Sequence, residues 1–180
     1  MVQAKKKDLD LIADWRKPSM GLLVNVNQET LEGLCEEGLI AVFCGDGDRS
    51  PEFREHLMEK MGCSYRPHLH AINGGALRLV AEAPIPQKFR IHEQLIEEIL
   101  DSRSAKKIST LILCVHYPCR MATISHIDLP STVHYCLLAA QKMAEKGWDR
   151  KRIVPLIHVY DGTKERTYYI EKKKSHLIFA

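Results

Sequence analysis

The stretch Leu111-Ile-Leu-Cys-Val-His-Tyr-Pro-Cys119 constrains this chain more than any other. Its run of apolar residues, bounded by Ser109-Thr110 and by Pro118, predicts a strand buried on both faces, the kind found inside a parallel sheet. His116 and Cys119 stand three residues apart at the carboxyl end of that strand, where the chain must turn. In open α/β sheets ligands gather at the carboxyl ends of strands. An imidazole and a thiolate placed there suit zinc, although a tetrahedral site needs a third protein ligand from elsewhere.

A second run supplies that ligand. Leu39-Ile-Ala-Val-Phe-Cys44 has the same form and is followed by Gly45-Asp46-Gly47-Asp48-Arg49. If the two strands are parallel neighbours, Cys44 lies beside His116 and Cys119 at one edge of the sheet. Two cysteines and a histidine with a carboxylate close by form the donor set of a catalytic zinc site with one open position.

Composition bears on what else the chain can do. Its 180 residues and 45% apolar content favour one packed core. The formal net charge of +3 gives no strong pull toward nucleic acid. Lys5-Lys6-Lys7 and Lys172-Lys173-Lys174 read as solvated runs near the ends. No apolar stretch approaches the ~18 residues of a membrane span, and there is no signal-peptide core, so a cytoplasmic protein is expected. In a reducing compartment the cysteines are expected to bind metal or to be buried, not to form disulfides. Cys35, Cys63 and Cys136 have no partner at ligand spacing and read as small buried hydrophobes. Cys114 shares the strand face of His116 but lies further back, under the covering layer.

In chain order, Leu9, Leu11, Ile12 and Trp15 fall at helical spacing in a segment with little core of its own. Residues 1–35 are therefore expected to form an N-terminal helical arm lying on another surface, with one zinc-binding α/β domain over 36–180. A helix from about Thr30 to Glu37 should end at Gly38, before the first strand. Ser50-Pro51-Glu52 opens a helix with Phe53, Leu57, Met58 and Met61 inward, ended by Gly62. His68 to Ile72 alternates as a short strand. Asn73-Gly74-Gly75-Ala76 then forms either an anion-holding nest or a tight strand-to-helix turn. A helix from about Arg90 to Leu100 precedes the central strand, and a polar loop or irregular helix containing His126 follows it. Thr132 to Lys146 reads as an amphipathic helix, Ile153 to Tyr160 as a strand, and Arg166 to Ile170 as an antiparallel return strand. The fold class is α/β, a mostly parallel central sheet flanked by helices.

Taken in order, these residues resemble the β-class carbonic anhydrases. That family carries Cys-x-Asp-x-Arg after one strand, His-x-x-Cys after a later one, and an Arg-Asn-Ala-Gly-Asn-like turn between them. Cys44-Gly45-Asp46 and His116-Tyr-Pro-Cys119 match the two ligand motifs, and Cys114 falls where members often have a non-ligand cysteine. Ala71-Ile-Asn73-Gly-Gly75 is similar to the middle turn, and Val159-Tyr-Asp161-Gly162 resembles the family's late strand and turn.

The resemblance implies zinc on Cys44, His116 and Cys119, with water or hydroxide in the fourth position. Bound zinc lowers the pKa of that water toward ~7, so that hydroxide attacks CO2 near neutral pH. The implied activity is that of a zinc lyase, the reversible hydration of CO2 to bicarbonate. In the family an arginine holds the aspartate off the metal; Asp46 and Arg49 are the candidates here, and without that clamp Asp46 can itself become the fourth ligand. The chain departs from the pattern in three places: Arg49 stands three residues after Asp46 and not two, Arg120 replaces the usual glycine after the second cysteine, and Ala71 or Ile72 replaces an arginine before the middle turn. Two alternatives stay open, a zinc enzyme for another small molecule such as COS or CS2, and a zinc-binding module without catalysis. Asp48, His126, His134 and His158 are loose candidates for a proton shuttle. Related proteins pair by exchanging N-terminal arms, which implies a homodimer or a higher even oligomer.

Overall fold

The computed structural model describes residues 3–26, 34, 38–46, 50–60, 67–86 and 91–179. Described elements in chain order are helix α1 (Lys6–Trp15), strand β1 (Leu23–Asn25), strand β2 (Leu39–Phe43), helix α2 (Ser50–Lys60) and strand β3 (His68–Ala71). A short 3-10 helix (Gly75–Leu79), helix α3 (Ile91–Lys106), strand β4 (Thr110–Tyr117), helix α4 (Arg120–Ile124) and helix α5 (Leu129–Glu145) follow. Strands β5 (Ile153–Tyr160) and β6 (Glu165–Ile170) precede a last 3-10 turn.

The apolar runs form the middle of one six-stranded sheet in the order β1-β6-β5-β4-β2-β3. Strands β2, β3, β4 and β5 are mutually parallel, while β6 returns antiparallel to β5 and carries β1 on its other side. Because side chains alternate across a strand, each central run feeds two cores. Ile40, Val42, Leu111, Leu113, Val115 and Ile157 pack with residues of α1, α3 and α5. Leu39, Ala41, Phe43, Ile112, Cys114 and Leu156 pack with Phe53 and Leu57 of α2. Both faces are thus covered, as the unbroken apolar runs require.

Helix α5 starts three residues earlier than its apolar spacing suggests. Asp128 caps it by accepting a hydrogen bond from the Ser131 amide, with Pro130 in the first turn. Helix α3 runs on to Lys106, beyond the expected Leu100. Strand β1 has no signal in the sequence beyond Leu22-Leu23-Val24; it exists because the β6 edge offers it a ladder, with Val24 opposite Tyr169. The expected helix over about 30–37, Cys35, Cys63, Met61 and Gly62 lie outside the described residues. No helix among the described residues is long and apolar enough to cross a membrane.

The expectation for the N-terminal segment changes. Its helix does not stand off as an arm. Ile12 and Trp15 are 5% and 1% exposed and belong to the same core as the sheet. The Leu22 amide donates to the Trp15 carbonyl, and β1 then joins the sheet. Of that apolar stripe, Ile12 and Trp15 are buried by this chain itself, while Leu9 and Leu11 are half-buried. Truncating Trp15 to alanine should cost about 3–5 kcal/mol, because the site cannot collapse around a missing indole. Urea unfolding measures it, and a loss below about 1 kcal/mol would show that α1 is not part of the core.

Candidate metal centre

Strands β2 and β4 are parallel neighbours, with Val42 opposite Leu113. Continuing that register brings Cys44, just past the end of β2, beside the carboxyl end of β4. His116 is the penultimate residue of β4, and Cys119 occupies the cap position of α4. The Sγ atoms of Cys44 and Cys119 and a ring nitrogen of His116 all lie within 4.8 Å of one another, and all three residues are buried. Such a group can hold a metal ion. Asp46 lies outside the group; it is partly buried two residues beyond Cys44. Arg49 and Asp48 fall outside the described residues.

His116 tests whether a metal fits. Neither of its ring nitrogens makes a hydrogen bond of ordinary geometry among the described residues, though both are out of reach of water and the ring acts on the nearby Cys44 sulfur. Buried polar nitrogens left without partners are costly and rare. An ion bound to one nitrogen removes much of that cost, and the soft sulfur and imidazole donors suit zinc geometry.

The thiols respond to their closeness. The Cys119 thiol hydrogen-bonds to Cys44 and holds the Cys44 sulfur well below the ordinary thiol range; burial opposes this, while His116 and the Gly74 amide assist it. Cys119, as donor and as a buried group beside a negative sulfur, is pushed far above that range. One proton is thus shared by two sulfurs, which a divalent cation can displace.

The Cys44 sulfur also accepts a hydrogen bond from the Gly74 amide at 3.2 Å. This places the Asn73-Gly74-Gly75 segment against the end of β2, where the Gly45 amide donates to the Ile72 carbonyl and the Ile72 amide to the Phe43 carbonyl. Gly74 and Gly75 adopt φ of 96° and 54°, in the left-handed region. A Cβ on Gly75 would stand 2.6 Å from the Cys114 carbonyl oxygen and 2.9 Å from the Cys44 nitrogen. The segment is therefore a tight strand-to-helix turn, and one of its amides serves the metal centre.

Arg78, in the 3-10 helix that follows, carries no signal at the level of sequence motifs. It is buried, donating from Nε to the Asn73 carbonyl and from Nη1 to the Pro86 carbonyl. Proximity in a turn of the chain, not spacing along it, brings it there.

Other candidates separate. Cys114 is buried, its thiol donates to the Val115 carbonyl, and burial pushes its pKa well up; it stays a neutral packing group. Cys136 is likewise buried, its thiol pushed up to about 12 by burial. His158 faces His116 across the β4–β5 ladder, its Nδ1 2.9 Å from Thr167 Oγ1 and its Nε2 3.8 Å from a Glu165 carboxylate oxygen. His126 is exposed, and His134 packs on the Phe179 ring. Arg120 is exposed at the start of α4. Tyr117, next to His116, is tied to α1: its hydroxyl donates to Asp8 and accepts from the Lys5 amide at 3.1 Å.

A cavity of about 10 Å³, lined by Phe43, Cys44, Phe53, Cys114, Val115, His116 and His158, borders the group. That is room for about one water-sized molecule. No protein-family model, curated protein or solved structure matches the chain.

Two outcomes follow. Metal-free protein at pH 7 should carry one thiolate, seen as absorbance near 240 nm that Cys44→Ser removes. The lowered Cys44 value means that its ionised form stabilises the fold above the ordinary thiol pKa, ~8.5, and that this contribution is lost as pH falls through the lowered value. Two protonated thiols at pH 7 would contradict the geometry. Separately, Gly75→Ala should weaken metal binding at least about tenfold, because the turn must move away from Cys44 to admit the methyl group; unchanged affinity by chelator competition would show that the close approach is dispensable.

Proposed function

We propose that this chain is a zinc-dependent, carbonic-anhydrase-like enzyme that reversibly hydrates CO2. One observation carries the proposal: a buried Cys2His group at the carboxyl edge of a parallel sheet borders a small, largely apolar cavity. Bound zinc would supply a water molecule acidic enough to act as a nucleophile at neutral pH. Cys44, His116 and Cys119 would hold the ion, and three protein ligands would leave room for that water. Phe43, Phe53 and Val115 line the adjoining cavity, an apolar wall that suits a small apolar substrate better than an anion or a sugar. Asp46, partly buried two residues past Cys44, is the carboxylate that would accept a hydrogen bond from such a water and orient it. The expected resemblance to the β-class carbonic anhydrases supports this reading through the order of these residues in the chain.

A second reading, hydrolysis of COS or CS2, is favoured by the same apolar lining; sulfide release from either compound would reveal it. For the first reading, zinc-loaded protein should hydrate CO2 in stopped-flow assays with a rate that follows its zinc content. Cys44→Ser and His116→Ala should lose both zinc and turnover. Asp46→Asn should keep the zinc and lose about 10²-fold in kcat. One zinc per chain with no hydration above the buffer rate would contradict the proposal.

A further inference from the structure

We propose that Arg78 is a positioning residue of the metal centre: it clamps the Asn73-Gly74-Gly75 turn so that the Gly74 amide stays on the Cys44 sulfur. The inference rests on the metal-binding role of Cys44, His116 and Cys119 proposed above.

Arg78 is 8% exposed, and among the described residues no other lysine, arginine, aspartate or glutamate is buried to that degree. Removing a guanidinium from water is costly unless its donors are met. Here they are met by main-chain carbonyls: Nε reaches the Asn73 oxygen at 2.8 Å and Nη1 the Pro86 oxygen at 2.5 Å. The two acceptors lie on opposite sides of the 3-10 helix in sequence, so one planar fork joins the turn before it to the segment after it. That later segment is anchored in turn, with Ala83 and Ile85 in the core.

The turn needs such a clamp. Gly74 and Gly75 are both in left-handed conformations, and neither has a side chain to pack. Glycine gives the turn its close approach to Cys44 at the cost of rigidity. The Asn73 carbonyl held by Arg78 belongs to the same peptide unit as the Gly74 amide that donates to the Cys44 sulfur. Fixing that oxygen therefore fixes the direction of the N–H. Groups that orient a metal ligand through hydrogen bonds typically change metal affinity 10–100-fold when removed.

A lysine cannot reproduce this, because a single ammonium lacks the planar fork that spans both carbonyls. The test compares Arg78→Lys with Arg78→Met. Zinc affinity is measured by chelator competition, and the sulfur-to-metal charge-transfer band is recorded on cobalt(II)-loaded protein. Both variants should lose ~10–100-fold in affinity and shift the band. Wild-type affinity and band in both, even with a lowered melting temperature, would reduce Arg78 to a packing residue and overturn the proposal. A loss in Arg78→Met that Arg78→Lys restores would assign the effect to charge alone and overturn positioning. Should neither variant fold, cadmium-113-loaded wild-type protein decides by NMR: coupling between the metal and the Gly74 amide proton is expected, and its absence would overturn the proposal. Failure of the metal reading looks different, since wild-type protein would then bind none of these ions, or Cys44→Ser would bind them as well as wild type.

Discussion

Everything at the centre depends on the parallel pairing of β2 with β4. The register that sets Val42 opposite Leu113 fixes where each strand ends, and the ligands sit at those ends. A slip by one residue would turn every side chain of β2 to the other face, exchanging the Ile40 and Val42 set with the Leu39, Ala41 and Phe43 set. Both sets are apolar, so patterning alone does not forbid that slip. The amide-to-carbonyl bonds between Gly45, Phe43 and Ile72 hold β2 to the segment after β3 in one register.

Around this frame the sulfur chemistry is set by short-range contacts. Two buried sulfurs within hydrogen-bond reach, one of them also accepting from a glycine amide, favour the ionised form of that one. The same closeness that would make two thiolates repel makes a divalent cation favourable between them. Gly75 permits the approach and Arg78 holds it, so the second layer of the site is built mostly from backbone. Tyr117, next to His116, ties the end of β4 to α1, since its hydroxyl donates to Asp8.

The sheet was legible because β2, β4 and β5 are apolar on both faces, a pattern that only a covered, parallel interior tolerates. Cys44, His116 and Cys119 were legible because each ends or follows such a run. What was not legible is instructive in each case. Strand β1 is three residues long and is held by its partner β6, not by its own pattern. The docking of α1 was missed because Ile12 and Trp15 look the same whether they face this chain or another. Arg78 gave no sign, since a buried arginine is recognised by the carbonyls around it, and the Pro86 carbonyl comes close to it only in the folded turn.

X-ray absorption at the zinc edge of protein purified without chelator tests the central claim most directly. The account predicts one zinc per chain with two sulfur neighbours near ~2.3 Å and nitrogen or oxygen neighbours near ~2.0–2.1 Å. Protein that binds no zinc, or a first shell without sulfur, would contradict it.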